Sequence, residues 1–337
     1  MQKLFIISNE SIYENNSKYF CDNLDLKSTP EGLNNTFEVN IIARKSSKER
    51  SHSINIENIS IYRSILTFIL AVIKSTKNKD CKYLLISISP YTFVASLFLK
   101  LFGKNPIFYL RSDGHMEYKA ILGFIGPIIY HIMFAISSSV SRLISCRSHI
   151  LKGKKGEVVS PSQLDTEWLS NIKTIESKNI KLLYVGRIRK EKGIFSLLKI
   201  IEGKTDIHLT IVGAENNMSK HIKQNNVILK KIENNKKKLI NIYDDHKIFI
   251  LPSFTEGHPM VLLEALARRR PVIIFEEIQH VIGSKKGIFI SKRNYESFYG
   301  TINEILNNYK KIQEDMGQNQ LNTKKQFIKD LTSYVSL

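Results

Sequence analysis

The stretch FILPSFTEGHPMVLLEALARRRPVII, Phe249 to Ile274, leaves the chain little freedom, because in 26 residues it has to supply a strand, a loop, a helix and a second strand. Phe249, Ile250 and Leu251 form an apolar run closed by Pro252, as a buried parallel strand ends where proline removes a ladder donor. Ser253 to His258 is polar and contains Gly257, so it reads as a loop. Pro259 suits a first helical position, where its missing N–H costs nothing, and Met260 to Arg269 holds good helix formers. Arg268, Arg269 and Arg270 fall where cations favour the helix dipole, and Pro271 stops the helix.

Two carboxylates stand out within this unit. Glu256 precedes the helix, and Glu264 lies inside an otherwise apolar helix, where an unpaired charge would be expensive. Glu264 is therefore expected to have a partner. The N–H groups of Gly257, His258, Met260 and Val261, around Pro259, point out of a helix start and suit a phosphate. Together these features describe a pocket for a phosphorylated, hydroxyl-rich ligand.

The two glutamates separated by seven residues resemble the signature of the retaining glycosyltransferase family four, the group 1 type. Upstream, KLLYVGRIRKEKGIFSLLKII from Lys181 to Ile201 is similar to the strand, loop and helix of that family. LTIVGA at Leu209 to Ala214 and the segment Leu239 to Leu251 extend the resemblance, which covers about Lys181 to Ile290. It implies an α/β fold of the GT-B type, two Rossmann-like domains facing a central cleft, with the nucleotide sugar held mainly by the second. It implies that Arg187 and Lys192, framed by Gly186 and Gly193, clasp the diphosphate. By the same resemblance Glu256 holds donor-sugar hydroxyls as a catalytic residue, Glu264 binds the ribose, and the anomeric configuration is retained. Gly186, Gly257, His258, Pro259, Met260 and Val261 complete the donor side.

Read without that resemblance, the chain still alternates strands and helices in the manner of parallel sheets. Its 337 residues suit two domains, which we place at 1–165 and 166–314; the resemblance implies that 315–337 is a last helix returning to the first domain. Leu4–Ser8, Phe37–Ala43, Tyr83–Ser89 and Pro106–Arg111 read as strands, and Tyr62–Lys74 and Tyr91–Phe102 as helices. Asn9 to Asn35 is polar and poorly periodic. The resembled family usually has a glycine pair after its first strand, where Asn9, Glu10 and Ser11 stand here. Arg111, Asp113 and His115, at the carboxyl end of the fourth strand, are the acceptor-side candidates, since ligands of open parallel sheets bind at such ends. Asp113 also suits a simple turn cap.

Ala120 to Ser141 runs 22 residues without Lys, Arg, Asp or Glu, long enough by length alone to span a bilayer. Pro127, two glycines and several serines dilute it, and Val140–Ser145 is strand-like, so we read a core or interfacial helix followed by a strand. SPSQLD at Ser160 to Asp165 resembles the family's crossing between domains, Thr166–Asn179 reads as polar linker or helix, and Tyr295–Gln313 reads as an amphipathic helix. The run Lys230 to Lys238 reads as an exposed face.

The net charge of +19 is spread over both halves, 21 basic against 13 acidic residues up to Asp165 and 29 against 18 beyond it. Nucleic acid, an anionic membrane surface or a phosphate-rich substrate accounts for such a balance, and so does a compositional bias toward Lys, Ile and Asn; of these partners, nucleic acid is not the one expected. Cys21, Cys81 and Cys146 have no metal spacing and suit a reducing compartment, and the strand-like LFIIS opening gives no secretory signal. No Asp-x-Asp pair occurs, so no metal and no cofactor are expected beyond a nucleotide-diphosphate sugar as co-substrate. Gly186 and Gly193 do not make a dinucleotide fingerprint, and GAEN after the 209–214 strand lacks its second glycine. The expectation is a retaining, metal-independent hexosyltransferase acting on a glycan or lipid-linked acceptor, cytoplasmic and peripheral on the inner face of the membrane, in bacterial surface polysaccharide synthesis. The alternatives are a sugar-nucleotide epimerase of the same fold and a non-catalytic basic protein binding membrane or nucleic acid.

Overall fold

The apolar runs pair side by side into two mostly parallel sheets. In the computed structural model, which describes residues 1–174, 180–214, 222 and 224–337, the chain forms two units, Met1–Gln163 with Lys324–Leu337, and Leu164–Thr323.

In the first unit the strands are β1 (Lys3–Asn15), β2 (Lys18–Cys21), β3 (Glu38–Lys45), β4 (His52–Ile54), β5 (Asn58–Tyr62), β6 (Cys81–Ile86), β7 (Pro106–Leu110), β8 (Arg142–Ser145) and β9 (Glu157–Val158). Six parallel ladders order them β5-β3-β1-β6-β7-β8-β9. Helices α1 (Leu24–Leu33), α2 (Ile65–Ser75), α3 (Pro90–Leu101), α4 (Gly114–Leu122) and α5 (Gly126–Val140) connect them. Side chains alternate across the sheet, so Leu4, Ile6 and Val39 meet α1 on one face while Phe5, Ile7 and Tyr83 meet α2, α3 and α5 on the other.

The second unit contains α6 (Thr166–Leu169), β10 (Ile180–Val185), α7 (Ile194–Ile200), β11 (Ile207–Val212), β12 (Val227–Lys230), α8 (Lys236–Asp244), β13 (Ile248–Leu251), α9 (Met260–Ala267), β14 (Val272–Phe275), β15 (Ile288–Ser291), α10 (Tyr295–Asn307) and α11 (Tyr309–Met316). Its sheet is wholly parallel in the order β12-β11-β10-β13-β14-β15. Helices α8, α9 and α11 cover one face, and α7 and α10 the other. The order reverses between β10 and β13, which makes the carboxyl ends of these two strands the topological switch point. The last helix, α12 (Lys324–Ser336), belongs to the first unit, where Phe327, Leu331 and Val335 join the core on the α1 side.

Several local expectations need correction. Asn9–Asn35 is not irregular: β1 runs on to Asn15, turns into β2 as an antiparallel hairpin extended by β4, and α1 follows with Asn23 as its cap. The helix expected from Tyr62 begins at Ile65, because Ser64 caps it and Tyr62 completes β5. The strand expected to reach Ser89 stops at Ile86, since Ser89 forms a capping box with Thr92 at the start of α3. Tyr295–Gln313 is two helices that meet at Asn308. Of the expected linker, Thr166–Leu169 is helical and residues 175–179 lie outside the described residues, as do residues 215–216 of GAEN.

Candidate active site

Both glycosyltransferase-like motifs fall at the switch point of the second unit. The loop after β10 carries Gly186, Arg187 and Lys192, and the loop after β13 carries Glu256 to Pro259. Phe254 N–H donates to Glu191 O at 2.9 Å and ties the loops together. Gly193 sits at φ 67°, and a Cβ there would stand 1.8 Å from the Pro252 carbonyl oxygen, so no other residue lets the loops approach this closely.

That approach places Lys192 Nζ 2.8 Å from Glu256 Oε1, with side-chain exposures of 27% and 9%. The Ser253 hydroxyl donates to the same oxygen at 2.6 Å, and the His280 ring nitrogen lies 2.7 Å from the Glu256 carbonyl oxygen. Glu256 is thus fixed on both its side chain and its backbone. Arg293 Nη1 donates to Pro252 O at 2.9 Å, its guanidinium lies over the Phe254 and Phe275 rings, and Glu277 holds its other edge at 2.8 Å. Gly186 N–H donates to Val212 O, and the Tyr184 hydroxyl donates to Arg187 O at 2.8 Å, so the loop leaves β10 in a defined direction with Arg187 exposed.

Pro259 is the residue before α9 rather than its first helical residue, and no side chain caps the N–H groups that follow. Met260 and Val261 open the helix, and Gly257 and His258 are half-buried in the loop before it. Glu264 is 8% exposed, and the hydroxyl of Tyr243, on α8, donates to it at 2.8 Å. Burial pushes the Glu264 carboxyl up to about 7, against the opposing pull of that hydrogen bond. The partner required by the sequence is therefore a neutral hydroxyl.

The three arginines after α9 do more than favour a dipole. Arg268 and Arg270 are each 1% exposed and share the carboxylate of Asp244. Arg268 makes a two-pronged contact with it at 2.8 and 2.9 Å and donates to the carbonyls of Trp168, Ser170 and Asn171, while Arg270 donates to Lys173 O. This network pins the start of the unit beneath α9.

In the first unit, Arg111 is half-buried and forms an ion pair with Asp25. Burial lowers its pKa to about 10. Asp113 caps α4 through His115 N–H at 3.0 Å and pairs with Lys152 at 2.7 Å. Burial pushes the Asp113 carboxyl up, but these contacts outweigh it and the group stays below the usual range. His115 lies against Tyr130 and 3.4 Å from His131, and burial lowers its pKa, favouring the neutral ring. In the run Lys230–Lys238, Lys236 pairs with Asp165 and Glu167.

Sequence reasoning missed Ser253, Tyr243, Asp244, His280 and Arg293. Ser253 stands three residues before Glu256 and was within reach of a local argument. The others are brought in by tertiary folding and leave no periodic signal.

Residues 165–323 match the family model described as glycosyl transferases group 1. The capsular polysaccharide biosynthesis glycosyltransferase CapM of Staphylococcus aureus is 30% identical over 214 residues, 56% of this chain and 55% of CapM. The putative teichuronic acid biosynthesis glycosyltransferase TuaC of Bacillus subtilis (strain 168) is 37% identical over 92 residues, 27% of this chain and 23% of TuaC. The chain thus spans about half the length of CapM and less of TuaC. Among solved structures, Anabaena HepE in complex with UDP and glucose superposes with a TM-score of 0.69 over the whole of both chains at 10% identity. The lipopolysaccharide outer core galactosyltransferase WaaB gives 0.64 at 15% identity, over 99% of this chain and all of WaaB. The fold is GT-B, with two Rossmann-like units.

Proposed function

We propose that this chain is a retaining glycosyltransferase that moves a sugar from a nucleotide-diphosphate sugar to a glycan or lipid-linked acceptor, without a metal, on the cytoplasmic side of the membrane. The observation that carries the reading is the Lys192–Glu256 pair, held at 2.8 Å at the switch point beside the uncapped start of α9. The names of CapM and TuaC support an acceptor belonging to a bacterial surface polysaccharide.

The chemistry follows from charge. As the glycosidic bond lengthens, negative charge collects on the departing diphosphate and positive charge on the sugar ring. Lys192, Arg187 and the N–H groups at the start of α9 would meet the first, in a site where such dipoles need no reorganisation. Glu256, anchored by Ser253 and Lys192, would accept hydroxyls of the transferred sugar, and Glu264 those of the ribose. Two cationic side chains and a helix start provide the countercharge that a divalent ion provides elsewhere.

The test is a panel of nucleotide sugars with and without lipid-linked glycan acceptors, in the presence of a chelator. Acceptor-dependent nucleotide release, with the anomeric configuration of the product kept, supports the proposal. Sugar isomerisation without acceptor would instead indicate an epimerase, and no affinity for any nucleotide would indicate a binding protein.

A further inference from the structure

On the first unit, α2, α3 and α5 lie side by side over one face of the sheet, and the outer surface of this layer is apolar. Leu66 is 74% exposed, Leu70 64%, Leu101 76%, Phe124 82%, Ile128 60% and Ile132 55%. In α5 the exposed isoleucines fall on the side opposite Tyr130, Met133 and Phe134, which are buried against the sheet, so the helix is apolar on its outer as well as its inner side. No charged residue occurs from Ala120 to Ser141.

By composition, an 18-residue window within the helical stretch Gly114–Val140 has the mean hydropathy of a membrane span, 1.9. Its shape is different. His115 lies 3.4 Å from His131, whereas a straight helix would hold residues sixteen apart at about 24 Å. The chain folds back at a 3-10 turn, Gly123–Ile125, and a Cβ on Gly126 would stand 2.0 Å from the Tyr118 carbonyl oxygen, so α4 and α5 close into a helical hairpin on that glycine. Phe124 is at its tip. Helix α5, fifteen residues or about 22 Å long, is shorter than the roughly 30 Å hydrocarbon core.

Charge selects the occupant. From Ser64 to Lys152 the chain carries eleven Lys and Arg against three Asp and Glu. Exposed Lys74, Lys77 and Lys100 lie at or just beyond the C-terminal ends of α2 and α3, and exposed Lys119 lies on α4. A second copy of this chain on the same face would set like charges against each other, because a two-fold interface matches a patch with itself. An anionic lipid surface offers hydrocarbon to the isoleucines and phosphate to the lysines at once. We infer that the outer layer formed by α2, α3 and the α4–α5 hairpin lies in the surface of an anionic bilayer, with Phe124, Ile128 and Ile132 inserted below the headgroups. This goes beyond the transferase reading and does not depend on it.

The experiment is flotation of the full chain with vesicles of phosphatidylcholine alone and of phosphatidylcholine mixed with phosphatidylglycerol, at low and high salt. The expected result is binding to the mixed vesicles, weakened by salt, and a loss of partitioning of at least about tenfold in the combined variant Phe124→Ser, Ile128→Ser and Ile132→Ser. Circular dichroism and nucleotide binding of that variant, unchanged from the parent, exclude misfolding and separate failure here from failure of the transferase reading. A parent chain that floats with neither vesicle, a variant that floats as well as the parent, or equal binding to both vesicle types overturns the inference. So does a dimer in solution that the substitutions dissolve, which would make this face a contact between copies.

Discussion

Helices α5 and α9 are alike in composition and opposite in fate. Both are mostly apolar, yet α9 is buried along most of its length with a carboxyl group inside it, while α5 shows a side of isoleucine to solvent without a charge. The difference lies in what covers them. Helix α9 follows a central strand and is overlaid by α6 and α8, whose Trp168 and Tyr243 stack edge to face beside it. Helix α5 packs on α3, α4 and the sheet, and among the described residues of the first unit none covers Ile128, Ile129 and Ile132. Apolar composition therefore reports that a surface will leave water, and the flanking elements decide whether protein or lipid receives it.

The largest effect expected from breaking this contrast lies beneath α9. Asp244→Ala strands Arg268 and Arg270 as buried charges, and the predicted cost is about 3–5 kcal/mol of stability, read by denaturant unfolding. A cost below about 1 kcal/mol would mean that the network does not hold the unit together. Next come the loops. Lys192→Ala and Glu256→Ala are each expected to lower turnover about 10²- to 10³-fold in the donor assay while the folded state persists. Activity at the parent level in either variant would remove the proposed roles.

The third prediction concerns Glu264. Its carboxyl titrates near 7 in the folded chain against an ordinary value of 4.5, so the folded state holds its proton more tightly than the unfolded one. The stabilisation from this group is whole below about 4.5 and lost as the pH rises through 7. Glu264→Gln, which keeps an acceptor for Tyr243, should remove that slope and raise stability at pH 8 by about 3 kcal/mol. An unchanged slope of stability against pH would show that the carboxyl is not perturbed. The smallest effect is expected on α5: Ile132→Ser should shift stability by no more than about 0.5 kcal/mol, measured by thermal unfolding without lipid. A loss of core size would mean that this side is covered by protein after all.

The same contrast explains what the sequence could convey. The β13–α9 region was legible because its signals are local: an apolar run, Pro252, Gly257 and Pro259 within eleven residues. The doubly wound alternation was legible for the same reason. Asn9–Asn35 was not, since the far end of β1 pairs in an antiparallel ribbon with β2, itself extended by β4, whose tip at Glu14 to Lys18 is exposed, and α1 is weakly amphipathic with Pro30 inside it. Glu264 announced that it needed a partner, but Tyr243 stands 21 residues earlier on another helix and no spacing selects it. Arg268 and Arg270 looked like a terminal charge cluster because Asp244, which redirects them inward, is 24 and 26 residues away. Arg111 was placed at the correct strand end, but its ion pair was not foreseen, because Asp25 belongs to the helix that had not been recognised.

Helix α12 has a temporal consequence. Phe327, Leu331 and Val335 complete a core whose other members are encoded some 160 residues earlier or more. As the chain emerges from the ribosome, the first unit has only α1 over that side of its sheet until α12 has been translated, whereas Leu164–Thr323 has all its elements as soon as it has been translated. The half made second is the one free to finish first.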